Sequence, residues 1–260
     1  STAFLFAGTV GMGLGIALLQ PAMPTLVKNW LPEKIGIATA VYTNGLLIGQ
    51  TLGAGLTLPF IKPLAGGHWT GAIAGWSALV VLAALLFVLD RNTQTTPARA
   101  ATRWWPDWSD RRTWQIGLLL GSGSSIYFAA NTFLPDILSQ SGRGSLIAPT
   151  LGAMSLFQIP APLLVLFFSK QLVGSRIPFI ATGIVALIAS LLIVISSGRE
   201  IIFLAGILGF CTAFILTLCL ALPAWLVAQE KVHYLAAGMF AVAYGIAVVY
   251  PVLGGALWDF

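Results

Sequence analysis

Eight apolar stretches recur along this chain, at roughly 3–27, 36–61, 69–89, 115–137, 146–169, 178–197, 201–228 and 235–258, each about the 20 residues that carry a helix across a hydrocarbon core. No Asp, Glu, Lys or Arg stands at the middle of any of them. Hydrocarbon supplies no hydrogen-bond partners, so a spanning segment must satisfy its own backbone, which a helix does. The expected fold class is therefore all-α: a polytopic membrane helix bundle with about eight transmembrane helices and no sheet. Composition leaves little else, because 58% hydrophobic against 8% charged residues cannot cover a soluble body of 260 residues with polar surface. The 28 Gly, 14 Pro and 9 Trp fit membrane helices, where these residues are more frequent than in soluble ones. Cys211 and Cys219 lie eight apart in one stretch, about 12 Å along a helix and too far to bridge.

The charges lie between the stretches, and they alternate. Lys28, Lys34, Arg91, Arg99, Arg103, Arg111, Arg112, Lys170, Arg176 and Lys231 occupy connectors one, three, five and seven. Only Lys62, Arg143 and Arg199 occupy the others. The basic excess marks the cytoplasmic side, so the long polar segment from Asp90 to Trp114 is expected in the cytoplasm and both chain ends outside. Within that segment Trp104, Trp105 and Trp108 beside Arg103, Arg111 and Arg112 resemble a nucleic-acid patch in composition. An aromatic and cationic strip between two spans is better read as lying on lipid headgroups, with no nucleic acid as partner. No basic region or small-residue cleavage site precedes the first stretch, so Ser1 is not expected to begin a signal peptide.

Spans one and two resemble spans seven and eight. Ala22-Met23-Pro24 matches Ala221-Leu222-Pro223, and Glu33-Lys34 matches Glu230-Lys231. One helical turn further out of register, Leu52-Gly53-Ala54-Gly55-Leu56 matches Leu253-Gly254-Gly255-Ala256-Leu257. A repeat of six spans with both copies pointing the same way is a two-half carrier arrangement. Gly11-Met12-Gly13-Leu14-Gly15, Pro21-Ala22-Met23-Pro24, Trp30-Leu31-Pro32-Glu33-Lys34-Ile35-Gly36, Tyr42-Thr43-Asn44, and His68-Trp69 resemble helices four and five of the major facilitator superfamily and the opening of its helix six. Ser125-Ile126-Tyr127-Phe128 and Asn131-Thr132-Phe133-Leu134-Pro135-Asp136 are similar to helix seven of its cyanate and nitroimidazole permease branch. There a Tyr precedes Trp-Leu-Pro; here Phe133 replaces the Trp, and Ser124-Ser125 stands for a commoner Gln-Ser.

The resemblance implies a partial major facilitator fold covering helices 4 to 11. Residues 1–89 would be the end of an N-terminal bundle with three spans, 90–114 the cytoplasmic central loop, and 115–260 a C-terminal bundle with five. Three leading helices and one trailing helix would lie outside the chain. It also implies a multi-pass permease of the cell inner membrane, working as a monomer by alternating access on a small polar or anionic solute, cyanate-like or nitroimidazole-like. Its partners would be that solute, the lipid bilayer and protons as a coupling ion; no cofactor is expected. A multidrug exporter of the same superfamily is the alternative, and a membrane scaffold or sensor without transport is the alternative from another class. The loop of about 25 residues is too short for a sensor's soluble output domain.

Candidate solute contacts follow from helix breaks and faces. Pro21 and Pro24 cannot donate to the carbonyls of Ala17 and Gln20, nor Pro160 and Pro162 to those of Leu156 and Gln158. Gln20 and Gln158 are thus expected beside unpaired backbone, the kind of broken helix that carriers use at the midplane. Tyr127 and Asn131 share a face one turn apart. On the resemblance, spans one, four and seven face the central cavity, with Ser124, Thr132 and Thr212 as further polar lining and Tyr42 and Asn44 flanking from span two. Gln20, Tyr42, Asn44, Tyr127, Asn131 and Gln158 form the candidate set. A Ser, Thr or Gln in a membrane helix more commonly bonds its own or a neighbouring helix, so each also carries a packing interpretation. Gly45, Gly49 and Gly53 read as a helix-packing seam. An enzyme within the membrane would need a nucleophile with a base, or a metal motif; His68 and His233 lie in connectors, so no catalytic or metal site is expected.

Overall fold

The computed structural model describes residues 2–89 and 105–258. The expectation for Arg91, Arg99, Arg103 and Trp104 lies outside the described residues. Among the described residues, all regular structure is helical: α1 (Thr2–Trp30), α2 (Ile35–Leu56), α3 (Lys62–Leu64), α4 (Trp69–Leu89), α5 (Arg111–Gln140), α6 (Ile147–Leu156), α7 (Pro160–Leu172), α8 (Ile177–Ile195), α9 (Glu200–Leu226) and α10 (Val232–Trp258). A π-helical turn, Thr57–Ile61, joins α2 to α3. Six segments among the described residues are long and apolar enough to cross a membrane: Phe6–Trp30, Trp69–Leu86, Gly144–Ser169, Ile177–Ile195, Glu200–Leu226 and Gln229–Leu257. The other two of the expected eight, α2 and α5, reach 22 and 30 residues but carry more polar side chains, Tyr42, Asn44 and Gln50 in one and Ser122, Ser124, Asn131 and Asp136 in the other.

Local chemistry sets the helix ends. Asp110 caps α5, its carboxylate accepting from Arg112 N at 2.9 Å, so the helix starts four residues before its apolar run. It stops at Gly142, whose φ of 71° suits glycine, and Arg143 N turns back to Leu138 O at 2.7 Å. The fifth apolar run is two helices, because Phe157–Ile159 form a turn between α6 and α7 ahead of Pro160. The two connectors that the expected repeat pairs are each a single 3-10 turn, Pro32–Lys34 between α1 and α2 and Gln229–Lys231 between α9 and α10.

The chain divides into two units, residues 1–44 with 103–260, and residues 45–102. In the larger unit α9 is the central helix, packed by α5, α6, α7, α8, α1 and α10, and most of its residues from Ile201 to Ala224 are buried. Small residues let neighbours approach it. A Cβ on Gly206 would collide with the Phe157 ring, and one on Gly209 with the backbone of Met154. Gly117 and Gly121 admit α10 to α5 in the same way, with Val242 Cβ 2.7 Å from a Cβ on Gly117. In the smaller unit Trp76 Nε1 donates to Thr57 Oγ1 at 2.8 Å, and that hydroxyl donates to Gly53 O. The seam expected along Gly45, Gly49 and Gly53 is not formed among the described residues, since a Cβ there meets no atom within 4 Å.

Connectors gather by parity. Around the end of α9, Lys28 and Asn29 of the first reach Ala224, Val227 and Gln229, Arg112 of the third reaches Leu226, and Gly174 of the fifth abuts Trp225. At the opposite end Arg143 Nη1 of the fourth donates to Ser196 O of the sixth at 2.9 Å. Successive long helices of this unit therefore run between two faces, one of them basic.

Candidate functional site

Hydroxyls in these helices mostly bond back one turn, as Thr43 does to Thr39 O at 2.8 Å, Ser190 to Ala186 O at 2.8 Å and Thr217 to Ala213 O at 2.8 Å. Asn131 follows the same pattern. Its Nδ2 donates to Tyr127 O at 2.9 Å, so the expected pair is joined through the Tyr backbone. The Tyr127 ring meets Phe128 edge-on, with centroids 5.6 Å apart, and packs against the cluster that includes Leu134, Met154 and Leu208. Thr212 bonds Gly209 O at 3.0 Å. Thr132 is exposed and Ser124 half-buried.

Gln158 is buried in the turn between α6 and α7 and donates from Nε2 to Met154 O at 3.3 Å. The carbonyls beside it are not orphaned, contrary to the expectation from the prolines. Ile159 N donates to Leu156 O at 3.2 Å, and Ala161 N to Gln158 O at 3.2 Å. A tightened turn supplies the two donors that Pro160 and Pro162 cannot. Gln20, in the uninterrupted helix α1, accepts from the Tyr244 hydroxyl of α10, whose ring stacks on Phe240 with centroids 5.8 Å apart.

On α2 the Tyr42 ring packs against the cluster built from Ile116, Leu120, Ile215 and Cys219. Its hydroxyl, Asn44 Oδ1 and Ser125 Oγ are buried without hydrogen-bond partners. Leaving such groups unmet costs about 1–3 kcal/mol each, and Thr25 Oγ1, Thr39 Oγ1, Thr150 Oγ1 and His233 Nε2 stand in the same position. The structure thus brings α1 to α10, and α2 to α5, α9 and α10, through Gln20 and Tyr42. Tyr244 and Ser125 are the residues the sequence reading passed over as contacts. A phenol near the middle of an apolar helix was the available signal, since an apolar surrounding offers its hydroxyl no partner except a polar group on a neighbouring helix.

A cavity of about 340 Å³ opens between the turn at Phe157, α8 and α9, lined by Phe157, Pro160, Ala181, Thr182, Val185, Ile207, Phe210 and Cys211. None of the six candidates lines it. The Thr182 hydroxyl turns away to Pro178 O at 2.6 Å, leaving the lining apolar. Cys211 and Cys219 are free and buried, and no cluster of metal-ligating side chains occurs among the described residues.

The chain is 28% identical over 199 residues to an uncharacterized transporter, YycB, of Bacillus subtilis (strain 168), covering 74% of this chain and 47% of the relative. It is 29% identical over 191 residues to a 2-nitroimidazole transporter of Escherichia coli (strain K12), covering 71% and 46%. With the cyanate transport protein CynX of the same organism it shares 26% over 196 residues, covering 66% and 49%. The chain spans about half the length of these curated relatives. No solved structure matches it. The relatives are membrane transporters and not enzymes, and the model of the Major Facilitator Superfamily matches residues 1–249, so the chain is a multi-pass membrane protein that belongs to that superfamily.

Proposed function

We propose that the chain forms part of a secondary carrier of the cytoplasmic membrane, which moves a small polar or anionic solute by alternating access. The observation that carries this reading is that three of the seven buried, unpartnered side-chain atoms among the described residues, Tyr42 OH, Asn44 Oδ1 and Ser125 Oγ, lie on α2 and α5, the two long helices that carry the mid-helix polar residues Asn44 and Asn131. Neutral hydrogen-bonding groups without a mid-helix charge suit a solute recognised by donors and acceptors more than by an ion pair. The names of two relatives, a 2-nitroimidazole transporter and a cyanate transport protein, supply the solutes to try first. Protons are the coupling ion to test, and a monomer split at the 90–114 loop is the assembly this reading expects.

The test is uptake of labelled cyanate and 2-nitroimidazole by the full-length carrier in proteoliposomes, with and without a proton gradient. Asn44→Ala and Asn131→Ala should lower uptake at unchanged folded yield. Uptake equal to the parent's from both variants would remove these residues from the solute path. The apolar cavity beside Phe157 and Phe210 favours a second reading, an exporter of apolar compounds. Efflux of lipophilic cations with no uptake of either small solute would select it.

A further inference from the structure

Helices α6, α7 and α8 each pack on α9, and the cavity of about 340 Å³ is the gap left between α8 and the turn that joins the other two. Its walls come from Gly144–Ser169, Ile177–Ile195 and Glu200–Leu226, all long and apolar enough to span a membrane, so it lies within the bilayer. Ala186 and Ile193 anchor α8 to α9, buried in one cluster with Ile201, Ala205 and Leu208. Ahead of that anchor, Ala181 and Val185 form one exposed rim of the cavity, and Phe157 and Pro160 form the other. The Phe157 ring is fixed there, lying over Gly206 and edge-on to Phe203 with centroids 6.1 Å apart. Below the rim Ile207 and Phe210 are half-buried, and Cys211 is 1% exposed. The cavity therefore deepens inward from an open mouth.

Its size and lining select the occupant. Water in a cavity needs about 2–4 polar partners, and this lining has no free hydroxyl, amide or charge, because Thr182 Oγ1 is engaged with Pro178 O at 2.6 Å. Left empty, every wall would forfeit its dispersion contacts. A spanning helix, about 10 Å across and about 30 Å long, is several times too large to enter. A recognised compound would find none of the placed polar groups that orient a ligand in its pocket. A flexible hydrocarbon chain needs no such groups, and the bilayer supplies it at the mouth. We propose that the cavity is a seat for one acyl chain of a membrane phospholipid, which enters between Phe157 and Val185, ends against Cys211 and splints α8 to the turn between α6 and α7. This goes beyond the transport reading and holds whichever solute the carrier moves.

The probe is a phosphatidylglycerol with a photoactivatable diazirine near the end of one acyl chain, in proteoliposomes of the full-length carrier, with labelled residues located by mass spectrometry. A chain reaches Cys211 only through the cavity, whereas Cys219, 0% exposed within another cluster, is the internal reference. Phe210 and Cys211 should carry label, and Cys219 should not. Ala181→Phe, which sets a ring in the mouth, should lower that label roughly tenfold, the scale of crowding a filled cavity. Leu191→Phe, on an exposed part of the same helix, should leave it within about twofold, as surface substitutions do. Val185→Phe serves if Ala181→Phe does not reach the membrane. Label at Phe210 and Cys211 no greater than at Cys219, or unchanged when the mouth is filled, overturns the seat. Loss of the label on adding tetraphenylphosphonium to the parent carrier also overturns it, and assigns the cavity to an apolar compound instead.

Discussion

Replacing Gly209 with Ala places a methyl group into the backbone of Met154, where its carbonyl oxygen, carbonyl carbon and Cα are the nearest atoms. A side chain could rotate aside; a peptide group inside α6 cannot move without moving the helix. Overpacking by one methyl costs about 1–3 kcal/mol, and a backbone obstacle places this case at the upper part, about 2–3 kcal/mol. At roughly 2–4 °C per kcal/mol for chains of this size, the apparent unfolding midpoint in detergent should fall by about 4–12 °C. The same Met154 carbonyl receives Gln158 Nε2 at 3.3 Å, so the displacement also loosens the turn between α6 and α7, and uptake should fall with stability. Gly206→Ala meets the Phe157 ring instead, which can swing, and should cost less. Gly152→Ala, on the same helix as Met154 but with no atom within 4 Å of the added Cβ, should be neutral or stabilising because alanine favours helix over glycine by about 1 kcal/mol. The measurement is thermal unfolding followed by tryptophan fluorescence for the three variants side by side. A Gly209→Ala midpoint equal to the parent's, or a Gly152→Ala loss as large, would refute the reasoning.

Two further substitutions test single contacts. Tyr244→Phe removes the donor to Gln20 and should destabilise by about 0.6 kcal/mol, with 1.7 kcal/mol as the upper end for such bonds in membranes; a double-mutant cycle with Gln20→Leu should recover a coupling of that size, and additive effects would show that the bond contributes nothing. Asp110→Ala removes the cap that accepts from Arg112 N and should cost about 1 kcal/mol, restored by Asp110→Ser in the same melting assay, whereas equal melting of all three would dismiss the cap.

Hydropathy reads helix positions well and helix ends poorly, for a reason visible at α5. The apolar run begins near residue 115, yet the helix begins at Arg111, because a cap and a first turn in charged sequence bring no hydrophobic signal. Span five shows the complementary failure. Pro160 and Pro162 announced a break, which occurs, but the fate of the freed carbonyls depended on whether the turn could tighten, and it does so with Ile159 N and Ala161 N. Within the candidate site, Tyr127 and Asn131 were legible as a pair because four residues make one helical turn. That closeness also offered Asn131 a backbone carbonyl, and a sequence does not rank that acceptor against a solute.

Run length and the placement of charge determined, without any coordinates, that this chain is a bundle of membrane helices with one basic face. Those properties are local, since a 20-residue apolar segment has one stable state in hydrocarbon whatever its neighbours do. Which helix touches which was decided only in three dimensions. Gln20 meets Tyr244 and Lys28 meets Ala224 across most of the chain, and the close helix seams fall at Gly117, Gly121, Gly206 and Gly209, while Gly45, Gly49 and Gly53 stand open. Lipid is as apolar as leucine, so hydrophobicity does not distinguish a face that meets protein from one that meets the bilayer. That distinction rests on shape and on pairs of polar groups, and both exist only once the helices have come together.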